Sequence, residues 1–418
     1  MELNYKMIFP LKLLLLTMTI SSFLIAPSIQ GTTPAYILCF FSLFFVLFMS
    51  KRLSYIFYRD LFIFLLIFLF ITFASQLFVA FTSPSLPEDL TLIDKNDGSV
   101  LFRKSLITQS IYLFVAFIFF CLTKNFYNNK WDKFFLSGVC FLCLYGLYEF
   151  LYFFIFKTNG DFLSNRAFGE NMHFSGSLFQ AMQIGPLLLQ RMKSLTGEPS
   201  MFAFVIVPFF YYAYYKKMYK SALLFAICIV LSFSTTAYLG IGLFLGIKLF
   251  RFYRNLIFIY LSIFISLIIS WIVGFEKIGS IIYESIFEKI FTDSHSTIAR
   301  SANFSKHMEY FYEMPFLLKF FGLGFGTIRS TDFFSTLLVN CGIIGFLLFT
   351  ILFLIPIIKL KGTNPEHVAL RLSLIFIYLA MMISVPEYPY LSTWLFLGIA
   401  YSKIRLLKKR SFLFTLKK

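Results

Sequence analysis

Apolar runs of membrane-crossing length, joined by short basic connections, constrain this chain more than any other feature. Read in windows of about 19 residues, they recur near 11–28, 33–50, 61–82, 105–123, 134–156, 201–215, 220–233, 235–250, 255–274, 334–358, 369–384 and 389–403. The runs are apolar nearly all round, with no stripe of period 3.6, so each helix needs lipid or other helices on every side. Phe alone occurs 61 times and only 14% of residues are charged, which excludes a water-soluble globular domain. The expected fold is an all-α integral membrane protein of about twelve transmembrane helices, a single polytopic domain spanning 1–418. The runs 220–233 and 235–250 are short and separated only by Ser234-Thr235-Thr236, which leaves one bent element or a tight hairpin open.

The net charge of +17 raises the question of nucleic acid, and its distribution answers it. With the N-terminus placed inside, alternate connections collect 24 of the 37 lysines and arginines, from Lys6 and Lys12 to Lys417 and Lys418. Only Glu2, Asp60, Asp132 and Glu366 oppose them, so every inside loop is basic. That is the positive-inside pattern, with both termini and a basic tail 404–418 in the cytoplasm. It leaves no need for a nucleic-acid partner. The first run also has the shape of a secretory signal peptide, and an uncleaved first span is favoured because no small-x-small cleavage site follows it.

The six cysteines all fall within apolar runs and read as free, buried thiols. Cys140 and Cys143 form a CxxC without the second pair or histidine that a zinc site needs, so no metal is expected. No cofactor is expected either. The span centres are almost free of ionisable groups, with Glu149 near an end, which argues against an ion-coupled carrier.

Three outer loops are long, 83–104, 157–200 and 275–333, and the last two carry the groups available for chemistry. Residues 275–293 read as an amphipathic helix with isoleucines at four-residue spacing, and a second helix is expected from about Thr297 to Glu313, ending before Pro315. Both large loops are therefore expected to be partly helical. Arg300, Phe304, His307 and Phe311 share one face of that second helix. For any single loop arginine the plain alternative is a solvated or headgroup-binding charge. Glu198, before Pro199, has the alternative of favouring the positive end of a helix dipole, with Ser200 as cap. The run Gly322-Leu-Gly-Phe-Gly326 lacks the Lys-Ser/Thr of a phosphate loop and reads as a turn.

Three groups of residues carry a family resemblance. They are Arg191-Met-Lys-Ser-Leu-Thr-Gly-Glu-Pro-Ser200 leading into the sixth span; Arg300 early in a helix, followed by Pro315 and Gly322-Leu-Gly-Phe-Gly326; and Ser330-Thr-Asp-Phe-Phe leading into Asn340-Cys-Gly-Ile-Ile-Gly345. In these, and in its span pattern, the chain resembles the Wzy-type O-antigen and capsule repeat-unit polymerases, in the superfamily that includes the O-antigen ligases. The resemblance implies a membrane glycosyltransferase of the bacterial plasma membrane. It would move a growing glycan from undecaprenyl diphosphate onto the terminal sugar of an incoming lipid-linked repeat, in company with a chain-length regulator and a flippase. A departing diphosphate is met by guanidinium groups, for which Arg300, Arg191 and Arg329 are the candidates, with Arg166, Lys193 and His307 as further diphosphate- or glycan-binding residues. Glu198 or Asp332 would orient the acceptor hydroxyl or take its proton. Ligases of the superfamily carry His-Asn where this chain has Thr331 and Asp332, which tilts the reading to polymerase. A lipid-linked oligosaccharide flippase, with a similar number of spans, is the alternative from another class.

Overall fold

The structure, a computed structural model, describes residues 9–87, 90–166, 179–184, 187–252 and 295–415. The expected span 255–274 and the amphipathic helix 275–293 lie outside the described residues. Within them the protein is built from α1 (Phe9–Thr17), α2 (Pro34–Leu47), α3 (Lys51–Thr82), α4 (Lys104–Phe126), α5 (Asp132–Phe156), α6 (Pro199–Tyr215), α7 (Tyr219–Leu231) and α8 (Thr235–Phe252). After these come α9 (His295–Glu313), α10 (Phe316–Phe321), α11 (Phe333–Lys359), α12 (Pro365–Ile383) and α13 (Leu391–Thr415). Five of them, α3, α4, α5 with the turn before it, α11 and α12, are long and apolar enough to cross a membrane. Phe62, Leu66, Phe70 and Phe73 on α3 stay exposed, the outward apolar surface of a membrane-embedded helix.

At the centre α6 packs on α7, α8 and α12, while α4 packs on α13. Phe204, Phe209, Phe376, Trp394 and Phe396 are fully buried there. Polar groups in this interior find partners at once: Ser373 donates to the carbonyl of Pro208 on α6 at 3.0 Å.

Several elements depart from expectation. The first helix stops at Thr17, not at 28. The hydroxyls of Thr17 and Ser21 take backbone carbonyls as partners, Leu13 O and Thr196 O, and Ser21 and Ser22 donate their N–H groups to the carbonyl of Leu195 instead of to a preceding turn. Conversely, α3 begins at Lys51, ten residues before the apolar run, so its 32 residues extend roughly 48 Å. The last helix continues through the basic tail to Thr415.

The pair 220–250 is a hairpin. The start of α7 is tied to the end of α6 by Met218 N–H to Ala213 O, and Lys248 near the end of α8 reaches the Tyr214 hydroxyl at 2.9 Å. The turn between them sits at the opposite end, where Leu231 O accepts from Met192 N–H. Both helices are short, about 20 and 27 Å at 1.5 Å per residue.

Among the described residues of the loop 157–200 are an antiparallel hairpin, β1 (Ala181–Ile184) and β2 (Leu187–Gln190), with Ala181 opposite Gln190, and a single short helical turn at Ser194–Thr196. The sequence between the strands is Gly185-Pro186, a pair that a helix cannot pass through.

α11 is broken at Gly342, where φ is 64° and ψ −171°, a region reserved for glycine. The break frees the carbonyls of Val339 and Asn340, which accept from Leu323 and Gly324 N–H at 2.9 Å each. A Cβ on Gly342 would lie 2.3 Å from the backbone of Phe320, and one on Gly322 the same distance from that of Asn340. The glycine run is therefore the turn the sequence predicts, and it is keyed into the broken helix. Asn340 completes the lock by exchanging two side-chain hydrogen bonds with the backbone of Ile328, at 2.9 Å each.

The charges sort to two ends. At one, Lys124 pairs with Asp60 at 2.8 Å, Lys216 with Asp132 and Glu366 at 3.0 and 2.9 Å, Lys403 with Glu366 at 2.9 Å, and Arg405 binds Asn125. All of these come from the connections that the charge pattern groups together. The long loops meet at the other.

Candidate functional site

The site is held where three loops converge. Residues 90–93 run beside 327–329, with Leu92 bridged to Ile328, Ile93 N–H bound to Thr327 O and Arg329 N–H to Thr91 O at 3.0 Å. Arg329 is thereby fixed at its backbone while 54% of its side chain stays exposed. Its guanidinium forms an ion pair with Glu387, a buried carboxylate in the turn between α12 and α13. That carboxylate raises the Arg329 pKa, so the cation is firmly held in its charged form.

Arg191 follows β2 directly. Its N–H binds Gln180 O at 2.9 Å and its guanidinium donates to the Gln180 side chain at 2.5 Å. The chain beyond it is pinned to membrane helices: Met192 N–H to Leu231 O of α7, and Ser194 Oγ to Leu142 O of α5 at 2.7 Å. Burial pulls the Arg191 guanidinium down from its usual range, opposed by Tyr238 and Glu198 and reinforced by Arg300. It remains a cation at neutral pH because its starting value is so high.

Glu198 stands at the first position before α6 with extended backbone, and its side chain caps nothing. It accepts from the Ser200 hydroxyl at 3.3 Å instead. Burial raises its pKa above the ordinary carboxylate range, Glu387 adds to the rise, and Ser200, Arg300 and Arg329 act against it. Arg300 is half-buried on α9 and lies near enough to influence both Arg191 and Glu198. α9 rests on α11 through Phe304 against Phe334, with ring centres 6.3 Å apart, and is tied to the first long loop by Tyr310 donating to Ser85 O at 2.9 Å. Three arginines and two carboxylates from four chain segments thus share one electrostatic neighbourhood.

Other candidate residues are occupied differently. Asp332 is the N-cap of α11: it is buried and accepts from Ser335 N–H at 2.7 Å and from the hydroxyls of Ser330 and Ser335 at 2.8 Å each. Both of its carboxylate oxygens are engaged in the cap. Lys193 is wholly buried and pairs with Asp161 at 2.5 Å, with Glu149 of α5 within electrostatic reach. In this pair it braces the loop. His307 lies on the same helical face as Arg300, as expected, but it is buried and its Nε2 accepts from Thr91 N–H at 3.4 Å. Arg166 binds Ser21 O and the Gln30 side chain at 3.0 Å each.

Sequence reading misses Glu387. It considers only the long loops, and Glu387 lies in a connection of a few residues. The signal was Pro386-Glu-Tyr-Pro389, a lone carboxylate fenced by prolines between two apolar runs. Among the described residues no group of three or more His, Cys, Asp and Glu is placed to hold a metal ion, and the six cysteines are unpaired thiols. No family model matches the chain, and no match is found among curated proteins or solved structures.

Proposed function

We propose that this protein is a polysaccharide repeat-unit polymerase of the bacterial plasma membrane, acting at the outer face on undecaprenyl-diphosphate-linked glycans. The observation that carries this reading is the convergence of Arg191, Arg300 and Arg329 around Glu198 and Glu387, at the end of the bundle opposite the basic connections. With those connections in the cytoplasm, as positive charge directs, the arginine end faces outward with the hydrophilic loops. The twelve-span topology belongs to the same proposal.

In the reaction, the acceptor hydroxyl oxygen attacks the anomeric carbon of the donor sugar as the bond from that carbon to the diphosphate oxygen breaks. The electron pair leaves with the diphosphate, and the arginines stabilise the charge that develops there. The hydroxyl proton passes to Glu198, whose raised pKa makes it a stronger base than an exposed glutamate.

A deletion strain tests the class of activity. The expected result is single repeats still displayed on the cell surface. Display of none would point to a flippase, and full-length polymer left on its lipid carrier would point to a ligase.

The base role has its own signature in pH. Only ionised Glu198 accepts a proton, so activity of the purified protein on lipid-linked repeats should rise with pH through a value above the ordinary carboxylate range. Glu198→Gln should flatten that limb and Glu198→Asp should keep it. An unchanged limb in the glutamine variant removes Glu198 from the role.

A further inference from the structure

The turn between α12 and α13 carries a carboxylate to which the reaction above gives no role. Glu387 sits between Pro386 and Pro389, and short backbone bonds curl the turn around it. They run from Glu387 N–H to Val385 O at 2.7 Å, from Tyr388 N–H to Pro386 O at 3.1 Å and from Tyr390 N–H to Glu387 O at 3.3 Å. Side chains then fasten the turn to its surroundings. Tyr36 of α2 donates to Pro389 O at 2.6 Å, Trp394 of α13 to Tyr388 O at 2.7 Å, and Tyr388 to the Gln109 side chain of α4 at 2.6 Å. The Tyr390 hydroxyl donates to Thr196 O at 3.3 Å, which ties the turn to the segment that ends in Glu198. The Glu387 carboxylate is therefore a fixed charge on the bundle, buried where a carboxylate must be paired.

Its partner is Arg329, and the pair uses Glu387 Oε1 and one nitrogen of the guanidinium, Nη2. Glu198 is a second carboxylate within electrostatic reach of the same guanidinium. Among the described residues, however, Glu198 takes part in no ion pair and its side chain accepts only from the Ser200 hydroxyl. One arginine thus has two carboxylates in reach and is taken by one. A cation bonded to a base stabilises its ionised form and weakens it as a proton acceptor, so the choice of partner matters to the chemistry. The other groups that face Glu198 are Arg191 before it in the chain, Arg300 on α9 and Tyr390 in the turn. Glu387 is faced, besides Arg329 and Glu198, by Tyr36 of α2 and by Tyr388 and Tyr390, and Arg166 lines the same small cavity as it does.

Resting on the polymerase reading, in which Glu198 is the base, we infer that Glu387 is a positioning residue: it holds Arg329 in an ion pair and so keeps that arginine from closing on Glu198. Its own charge also helps to keep the Glu198 pKa raised. The Nε and Nη1 groups of Arg329, which bond to nothing among the described residues, stay available for the departing diphosphate.

The test is carbon-13 NMR of the glutamate carboxyls, titrated with pH, on the full-length protein in lipid nanodiscs, with the Glu198 signal assigned by its loss in Glu198→Gln. In Glu387→Gln the side chain keeps its size but no longer holds the cation, and Arg329 turns to Glu198. The Glu198 midpoint should fall by about one pH unit or more, the effect of an opposite charge at ion-pair distance. Adding Arg329→Gln to that variant removes the captor and should bring the midpoint back up, whereas structural damage is not mended by a second loss. A midpoint that does not fall in Glu387→Gln, or that stays low in the double variant, overturns the inference. Should Glu387→Gln not fold, the wild-type protein answers through nitrogen–carbon dipolar recoupling. The Arg329 guanidinium should then be found beside the Glu387 carboxyl, and contact with the Glu198 carboxyl instead overturns the inference. No sugar takes part in these measurements, so the two readings fail separately: a protein that titrates as expected but extends no lipid-linked repeat refutes the polymerase reading alone.

Discussion

Replacing Arg300 by alanine is expected to leave the protein inserted at its normal level while surface polymer collapses to single repeats. Removing one charge-stabilising donor from a transition state costs roughly 100-fold to 1,000-fold in rate. Chain length is the ratio of extension to release, so a loss of that size in each extension leaves chains that are released before a second repeat is added. The geometry gives a reason to expect a local effect. Arg300 is half-buried on the surface of α9, and the helix is held by other residues, Phe304 on Phe334, Tyr310 on Ser85 O and the buried His307. Arg300→Lys is the informative companion. It keeps the charge but loses the planar fork that meets two phosphate oxygens at once, so short polymers should persist. Polymer of normal length in Arg300→Ala, at equal protein abundance, would remove this residue from the site.

The arginine cluster was legible in the sequence because charge in a membrane chain is scarce. Once apolar runs and basic connections are set aside, few ionisable groups remain, and those in the long loops stand out. What each does once folded was not legible. Arg191, Glu198, Asp332 and Lys193 look equivalent in sequence, yet the fold gives Asp332 to a helix cap and Lys193 to a buried ion pair, leaving Arg191 and Glu198 near Arg300. Such assignments depend on tertiary neighbours at separations like the 58 residues between Arg329 and Glu387. Hydropathy located the helices but not their ends. α1 stops where hydroxyl side chains and a distant carbonyl, Leu195 O, offer the backbone other partners. The alternation of basic connections favours two runs, not one bent element, for α7 and α8, since merging them would break it, although a turn and a bend present the same three polar residues. The strands on either side of Gly185-Pro186 were not foreseen, because the spacing of apolar residues in 157–200 outweighed that pair.

The buried group around Lys193 leads to the largest expected change in stability. Lys193→Met replaces the ammonium by an apolar chain of similar length and leaves Asp161 a buried carboxylate without its cation, with Glu149 within electrostatic reach of it. Breaking a buried pair on one side costs about 3–5 kcal/mol, to be read as a lowered melting temperature of the purified protein in detergent. Asp161 is not easily released, since it also accepts from the Tyr145 hydroxyl at 3.1 Å and from Ser164 N–H at 3.0 Å, and these bonds shape the turn after α5. Removing the surplus charge should therefore restore much of what was lost: Lys193→Met combined with Asp161→Asn and Glu149→Gln is expected to be more stable than Lys193→Met alone. The triple variant discriminates between two roles for the lysine. If Lys193 only braces the loop, then recovering stability also recovers polymer, because Arg191, two residues away, is back in place on Gln180. If the triple variant is stable and still makes only single repeats, the ammonium itself acts on the substrate, and its burial must be relieved when substrate binds.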